Sequence, residues 1–329
     1  MMPVYFINTF WKGFCSRVRN FIPMAVSASQ SAQLQQFFNH SKFDECGGLI
    51  TDLDGTAIHE FEGHYSIPQS VQLGLDKIYD LGRPIVLNTL RFPLSVIKTF
   101  GKEWYKISNA PIPTVLMNGS QLGNIMLDRE GNFLYSEIDA YPLQIEEIAE
   151  VLHLVTSFIK NNDLDLLVFY YPRDWIQGEI IWTPLDKKVD SVREKYLSAS
   201  KVYSTSLENL QKDLLDQEIC MIFLLIDVPQ DRLMAYQHTK RNNFFTHKGV
   251  DKDFGAQQIA NHLQFDLKHS IGAGDSEMDS FLRSVGLAIH VGSPLLSIEG
   301  IMPPIKVKNS SEFGELLFEL AAMQKNVIG

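Results

Sequence analysis

The stretch "GGLITDLDGTAIHE", Gly47 to Glu60, sets Asp52 and Asp54 two residues apart, directly after an apolar run and directly before a Gly-Thr turn. An apolar run of this length bounded by turn residues reads as a strand buried on both faces, the kind found in a parallel sheet. In an open parallel sheet, reactive groups gather beyond the carboxyl ends of the strands. The two aspartates therefore stand where chemistry is expected. Outward from this point the chain alternates. Ser66 and Pro68 start a helix whose inner face is Val71, Leu75, Ile78 and Leu81, ended by Gly82; "PIVLNT" is the next strand; Pro93 opens a helix carrying Leu94, Ile97 and Phe100; "TVLMNG" is a third strand. The alternation returns near the C-terminus, with a helix over residues 253–262, the strand "HSIGAGD", a short helix "MDSFLRSV", strands at 287–291 and 305–307, and a last helix carrying Phe313, Leu316, Leu317, Leu320 and Met323.

Between these halves the texture changes. "IMLDREGNFLYSE" alternates like a hairpin with its turn at residues 128–132, residues 142–160 read as a long helix, and "DLLVFYY", "EIIWTPL" and "EICMIFLLIDV" read as strands. The expected architecture is α/β: a Rossmann-like core with a parallel sheet, built from residues 43–120 and 246–329, and an α+β cap inserted over 121–245.

Residues 1–42 stand apart. They contain no acidic residue, while Lys12, Arg17, Arg19 and Lys42 are basic, and Ile7, Phe10, Trp11, Phe14, Val18, Phe21 and Ile22 recur at helical spacing. A basic amphipathic helix over residues 4–22 suits peripheral contact with a membrane surface, a targeting segment, or a helix packed on the body of the protein. Ser27 to Gln36, "SASQSAQLQQ", reads as a polar linker or a mobile helix start.

The 329 residues carry Lys+Arg 29 against Asp+Glu 39, a net charge of -10, which argues against nucleic acid as a partner because phosphate backbones select basic surfaces. Cys15, Cys46 and Cys220 are widely spaced and form no CxxC pair, so a reducing compartment, the cytoplasm, is expected.

Four segments deliver polar groups to the same sheet edge: Asp52 and Asp54, then Thr89 and Arg91, then Lys252, then Asp275 and Asp279. Carboxylates brought that close repel one another. A divalent cation relieves the conflict, and Mg²⁺ suits an all-oxygen set that keeps positions open for water and phosphate. A receiver domain also combines acids, a threonine and a lysine around Mg²⁺, but there the acids precede the lysine, whereas Asp275 follows Lys252.

This constellation resembles the haloacid dehalogenase superfamily, in its Cof-type branch of sugar phosphatases with an α/β cap. The first motif, DxDGT, stands as Asp52-Leu53-Asp54-Gly55-Thr56, and the second, TGR, as Thr89-Leu90-Arg91 with leucine in place of glycine. Asn118-Gly119 corresponds to the entry into the cap. The third motif is a lysine opening a helix; "GVDKDFG" supplies Lys252, preferred over Lys248 because Ala256, Ile259 and Leu263 follow it at helical spacing. The fourth, GDxxND, reads Gly274 to Asp279 with Met278 where asparagine is common.

The resemblance implies a phosphomonoester hydrolase acting on a small phosphorylated substrate through an aspartyl-phosphate. It implies Asp52 as nucleophile and Asp54 as general acid and base, with Thr56 holding the Asp54 carboxylate. Thr89 and Lys252 would bind the transferring phosphoryl group. Asp52, Asp275 and the backbone carbonyl of Asp54 would hold Mg²⁺, with Asp279 behind them. Arg91 and Asn118, and from the cap Arg173, Trp175, His238, Lys240 and Arg241, are candidates for substrate contact. The segment between Val228 and Lys252 is short for such a cap, which implies a more open pocket and admits larger phosphorylated groups, a phosphoprotein included. A phosphomutase of the same superfamily, or a membrane-associated protein that keeps the fold without the activity, are the other readings.

Overall fold

The computed structural model describes residues 26–61, 64–160, 165–226, 244–292, 296–298 and 300–328. The basic segment 4–22, and His238, Lys240 and Arg241, lie outside the described residues.

Strand β1 (Leu49–Thr51) is buried throughout, and β4 (Ile85–Asn88) and β5 (Ile112–Leu116) follow it in parallel. On its other side lie β13 (Ile271–Gly274), β14 (Leu287–Val291) and β15 (Ile305–Val307), again parallel. Because side chains alternate across a strand, each strand feeds two cores. Leu49, Leu87 and Ile289 pack with α1 (Ala28–His40), α2 (Gln69–Asp80) and α8 (Ser310–Ile328), whereas Ile50, Val86 and Val115 pack with α7 (Lys252–Leu263). Helices α2 and α8 cross at Gly74 and Gly314: a Cβ on Gly314 would stand 2.3 Å from the Ser70 carbonyl carbon, so only glycine allows this approach.

Two boundaries differ from the sequence expectation. Of the two readings of Ser27 to Gln36, the helix start holds and the linker does not. Ser27 and Gln30 form a reciprocal capping box that starts α1, and its Leu34 and Phe37 are fully buried against the core, so the polar side read as linker is one face of a docked helix. The hairpin β6 (Gln121–Leu127) and β7 (Phe133–Ala140) also stands in the large sheet, not in the inserted module. Met117 and Asn118, both with positive φ (49° and 58°), reverse the chain after β5, so β6 runs back antiparallel along it. The eight-stranded order is β15-β14-β13-β1-β4-β5-β6-β7. The predicted short helix "MDSFLRSV" is a 3₁₀ turn, Ser280–Arg283.

The inserted module thus begins near Tyr141. Helix α4 (Ile145–Lys160) leads into a five-stranded sheet, β10-β9-β8-β11-β12, formed by β8 (Leu166–Pro172), β9 (Glu179–Thr183), β10 (Ala199–Ser204), β11 (Ile219–Ile226) and β12 (Phe244–Phe245). One face of this sheet buries α4 and the helix Leu207–Leu215. The other face covers Val192 and Tyr196 together with Phe92 and Met117 of the core; the Phe92 ring lies 5.4 Å from that of Tyr171. The Glu147 carboxylate ties the two connections between core and cap, accepting from Gln144 N on the way out (2.7 Å) and from Lys248 N (2.8 Å) and His247 Nδ1 (2.9 Å) on the way back. No described helix is long and apolar enough to cross a membrane.

Candidate active site

The carboxyl ends of β1, β4 and β13 and the first residue of α7 open on one cavity of about 460 Å³, lined among others by Asp52, Asp54, Thr89, Lys252 and Asp275. The turn after β1 is possible because Gly55 has φ 81°, and because it lacks a side chain: a Cβ there would stand 2.2 Å from Asp275 Oδ2. Asp52 is buried and its backbone N–H donates to Ala273, which keeps the β1 ladder intact up to the carboxylate.

Lys252 is buried at the start of α7, and its Nζ donates to Asp52 Oδ1 at 2.6 Å and to Asp279 Oδ1 at 2.7 Å. Its backbone carbonyl accepts from the Asn88 amide at 2.8 Å, so the last residue of β4 fixes where the lysine begins. The other oxygen of Asp279 accepts from the backbone N–H groups of Asp275 and Ser276, both at 3.0 Å. Asp279 thus holds the loop that carries Asp275, and its acceptors are engaged.

Burial raises Asp52 well above the ordinary carboxylate range, and Asp279, Asp275 and Asp54 add to the rise against the pull of Lys252. Asp275 is pushed up to about 7 by burial and by Asp279, with Lys252 opposing. Lys252, despite its burial, is raised by Asp279 and Asp52, so the ammonium charge is retained.

Asp54 is held from the other side. Arg91 is fully buried and grips it with both arms, Nε to Oδ2 at 2.8 Å and Nη2 to Oδ1 at 2.6 Å. Its guanidinium also donates to Ser95 Oγ (3.2 Å) and stands 4.9 Å from the ring centres of Tyr65 and Phe100. Aromatic faces stabilise a buried cation and, with the fork, fix its plane.

The profile of the haloacid dehalogenase-like hydrolases matches residues 49–294. The chain belongs to this family. No curated protein matches the chain significantly. Among solved structures, this haloacid dehalogenase-like hydrolase is similar to a phosphatase of the superfamily from Bacteroides thetaiotaomicron, at 15% identity and TM-score 0.59, covering 85% of this chain and 96% of that one. A superfamily sugar phosphatase of subclass IIB is matched at 17% identity and TM-score 0.57, covering 85% and 98%. A protein described as a HAD/Cof-like hydrolase from Plasmodium vivax is matched at 17% identity and TM-score 0.60, covering 89% and 99%.

In this haloacid dehalogenase-like hydrolase the structure brings together Asp52, Asp54, Thr89, Lys252, Asp275 and Asp279, and separates other candidates. The Thr56 hydroxyl is buried without a hydrogen-bond partner among the described residues; Arg91, not Thr56, holds Asp54. Asn118 lines a neighbouring cavity of about 190 Å³ with Asp251, Glu277 and Met278. Arg173 is engaged by Glu137 (2.6 Å) and Glu218 (3.0 Å), and Trp175 packs on the core, so neither lines the larger cavity. That cavity is instead completed by residues that sequence reasoning passed over: His59 and Tyr65 of the β2 (His59–Phe61) and β3 (His64–Ser66) hairpin, and Lys308, Asn309 and Ser310 at the start of α8. A signal for the latter was present, since Asn309 and Glu312 have capping-box spacing, and Glu312 N donates to Asn309 Oδ1 at 3.0 Å.

Asp52, Asp275 and Asp279 each offer an oxygen within 4.8 Å of the others. With Asp279 engaged by backbone donors, Asp52 and Asp275 are the carboxylates of this group that could hold a divalent cation. The raised Asp275 fits this assignment, because crowded buried carboxylates are relieved by a cation.

Proposed function

We propose that the protein is a Mg²⁺-dependent phosphatase that hydrolyses a small phosphomonoester through an aspartyl-phosphate. The observation that carries this reading is the convergence of Asp52, Asp54, Thr89, Lys252 and Asp275 on one cavity at the carboxyl edge of the parallel sheet. An Asp52 oxygen attacks phosphorus while the bond from phosphorus to the leaving oxygen breaks, and Asp54 gives that oxygen its proton. Water then attacks phosphorus, Asp54 takes the water's proton, and the Asp52 carboxylate is released with inorganic phosphate. Lys252, protonated and fixed 2.6 Å from Asp52, offsets the negative charge gathering on nucleophile and phosphoryl oxygens, and Thr89 orients those oxygens. Mg²⁺ bound by Asp52, Asp275 and the Asp54 carbonyl would supply further charge neutralisation at the phosphoryl group. Arg91 positions Asp54 and does not itself contact substrate.

Release of free phosphate from para-nitrophenyl phosphate with Mg²⁺ tests the reading and separates it from a mutase, which returns the phosphoryl group to an organic acceptor. Asp52→Asn is expected to abolish release while the thermal unfolding midpoint stays within a few degrees; near-normal release from that variant overturns the assignment.

A further inference from the structure

Lys252 is the first residue of α7, and the start of a helix leaves backbone N–H groups without partners inside the helix. Here α7 does not meet those donors alone. Asp251, the residue before Lys252, caps the helix by accepting from Phe254 N with Oδ1 at 2.9 Å. The Asp253 N–H, on the other side of Lys252, donates to the hydroxyl of Ser280 at 3.0 Å, and that hydroxyl donates in turn to Asp251 Oδ2, also at 3.0 Å. One buried serine thus closes a bridge across Lys252, holding the residue before it by the side chain and the residue after it by the backbone. Ser280 directly follows Asp279, whose Oδ1 accepts from Lys252 Nζ at 2.7 Å. Two consecutive residues therefore hold both ends of the lysine: Asp279 its ammonium, Ser280 the backbone from which it springs. Lysine carries its charge on a flexible stem, so Nζ is only as well placed beside Asp52 as those two ends are fixed.

We infer that Ser280 is a positioning residue for Lys252: through Asp251 and the Asp253 N–H it sets the start of α7 so that the ammonium meets Asp52 and the transferring phosphoryl group. This rests on the phosphatase reading above. Neither Ser280 nor Asp251 lines the larger cavity; both line the neighbouring one, so their effect on the reaction runs through the lysine.

Steady-state phosphate release from para-nitrophenyl phosphate, by the full chain with Mg²⁺ and well below each variant's unfolding midpoint, tests the inference. Ser280→Ala is expected to lower kcat about tenfold, less than the roughly 10²-fold that a misplacement of about 1 Å can cost. KM should stay within about twofold, because Lys252 serves both attacks on phosphorus and both slow together. Ser280→Thr keeps the hydroxyl and is expected to recover most of the loss. In Asp251→Asn the single amide oxygen serves either the Phe254 N–H or the Ser280 hydroxyl, not both, so kcat is expected to fall at least about threefold. Ser27→Ala removes a cap hydroxyl from α1 instead and is expected to leave kcat unchanged. A folded Ser280→Ala with kcat within about twofold of the wild type overturns the inference and leaves the phosphatase reading standing; if that variant does not fold, an unchanged kcat in Asp251→Asn does the same. A raised KM at unchanged kcat also overturns it, since it marks direct contact with substrate, and equal losses in Ser280→Thr and Ser280→Ala overturn the role of the hydroxyl. Failure of the wild type to release phosphate removes the phosphatase reading and this inference with it.

Discussion

Both oxygens of Asp54 accept from Arg91, which is itself fully buried. In the proposed mechanism, one arm of that fork opens as Asp54 hands over its proton, so the guanidinium would set the direction from which Asp54 acts. Lysine cannot reproduce a planar two-point grip. Arg91→Lys is therefore expected to lower kcat roughly 10²-fold, the low end of what a positioned acid contributes, with little change in KM, as steady-state phosphate release would show. Asn88→Ala removes the donor to the buried Lys252 carbonyl and is expected to cost about 1–2 kcal/mol in chemical denaturation. For Asp275 the sign follows from its upward shift to about 7. The metal-free fold holds a proton that the unfolded chain has already released, so its stability falls as pH rises from 3.8 toward about 7. Mg²⁺ competes with that proton, so its affinity, read by calorimetry, should increase from pH 6 to pH 8. At this scale the sequence showed the acids and the lysine, because their spacing after apolar strands is a local pattern. It did not show that Arg91 belongs to Asp54, since residues 37 positions apart meet only once β1 and β4 lie side by side.

At the scale of elements, the buried strands were legible because apolar runs bounded by turn residues admit few other structures. The hairpin of β6 and β7 was legible as a hairpin but not as part of the large sheet. Its membership depends on the reversal at Met117, Asn118 and Gly119, all at positive φ; the Asn-Gly pair signals a turn in the sequence but not that the chain folds back along β5 rather than leaving for the cap. Helix α1 was hidden by its own polar face, as only Leu34 and Phe37 are buried along it. Ser27→Ala should cost about 1 kcal/mol through loss of the cap, a shift measurable by urea unfolding. Where α2 and α8 cross, Gly314→Ala forces a Cβ onto the Ser70 backbone and is expected to cost about 1–3 kcal/mol in the same measurement.

At the scale of the whole molecule, core and cap touch at places the chain crosses or folds back upon. Glu147 clasps both connections through three donors, and the pairing with His247 and the two backbone N–H groups holds its carboxyl below the ordinary range, although burial alone would raise it. The second attachment is Phe92, whose ring enters the apolar cluster of the cap sheet while the residue before it grips Asp54. Two adjacent residues of one strap thus hold the grip on Asp54 and the contact of Phe92 with Tyr171 of the cap sheet, 5.4 Å between ring centres, so a shift of the cap against the core bears directly on the backbone next to Arg91.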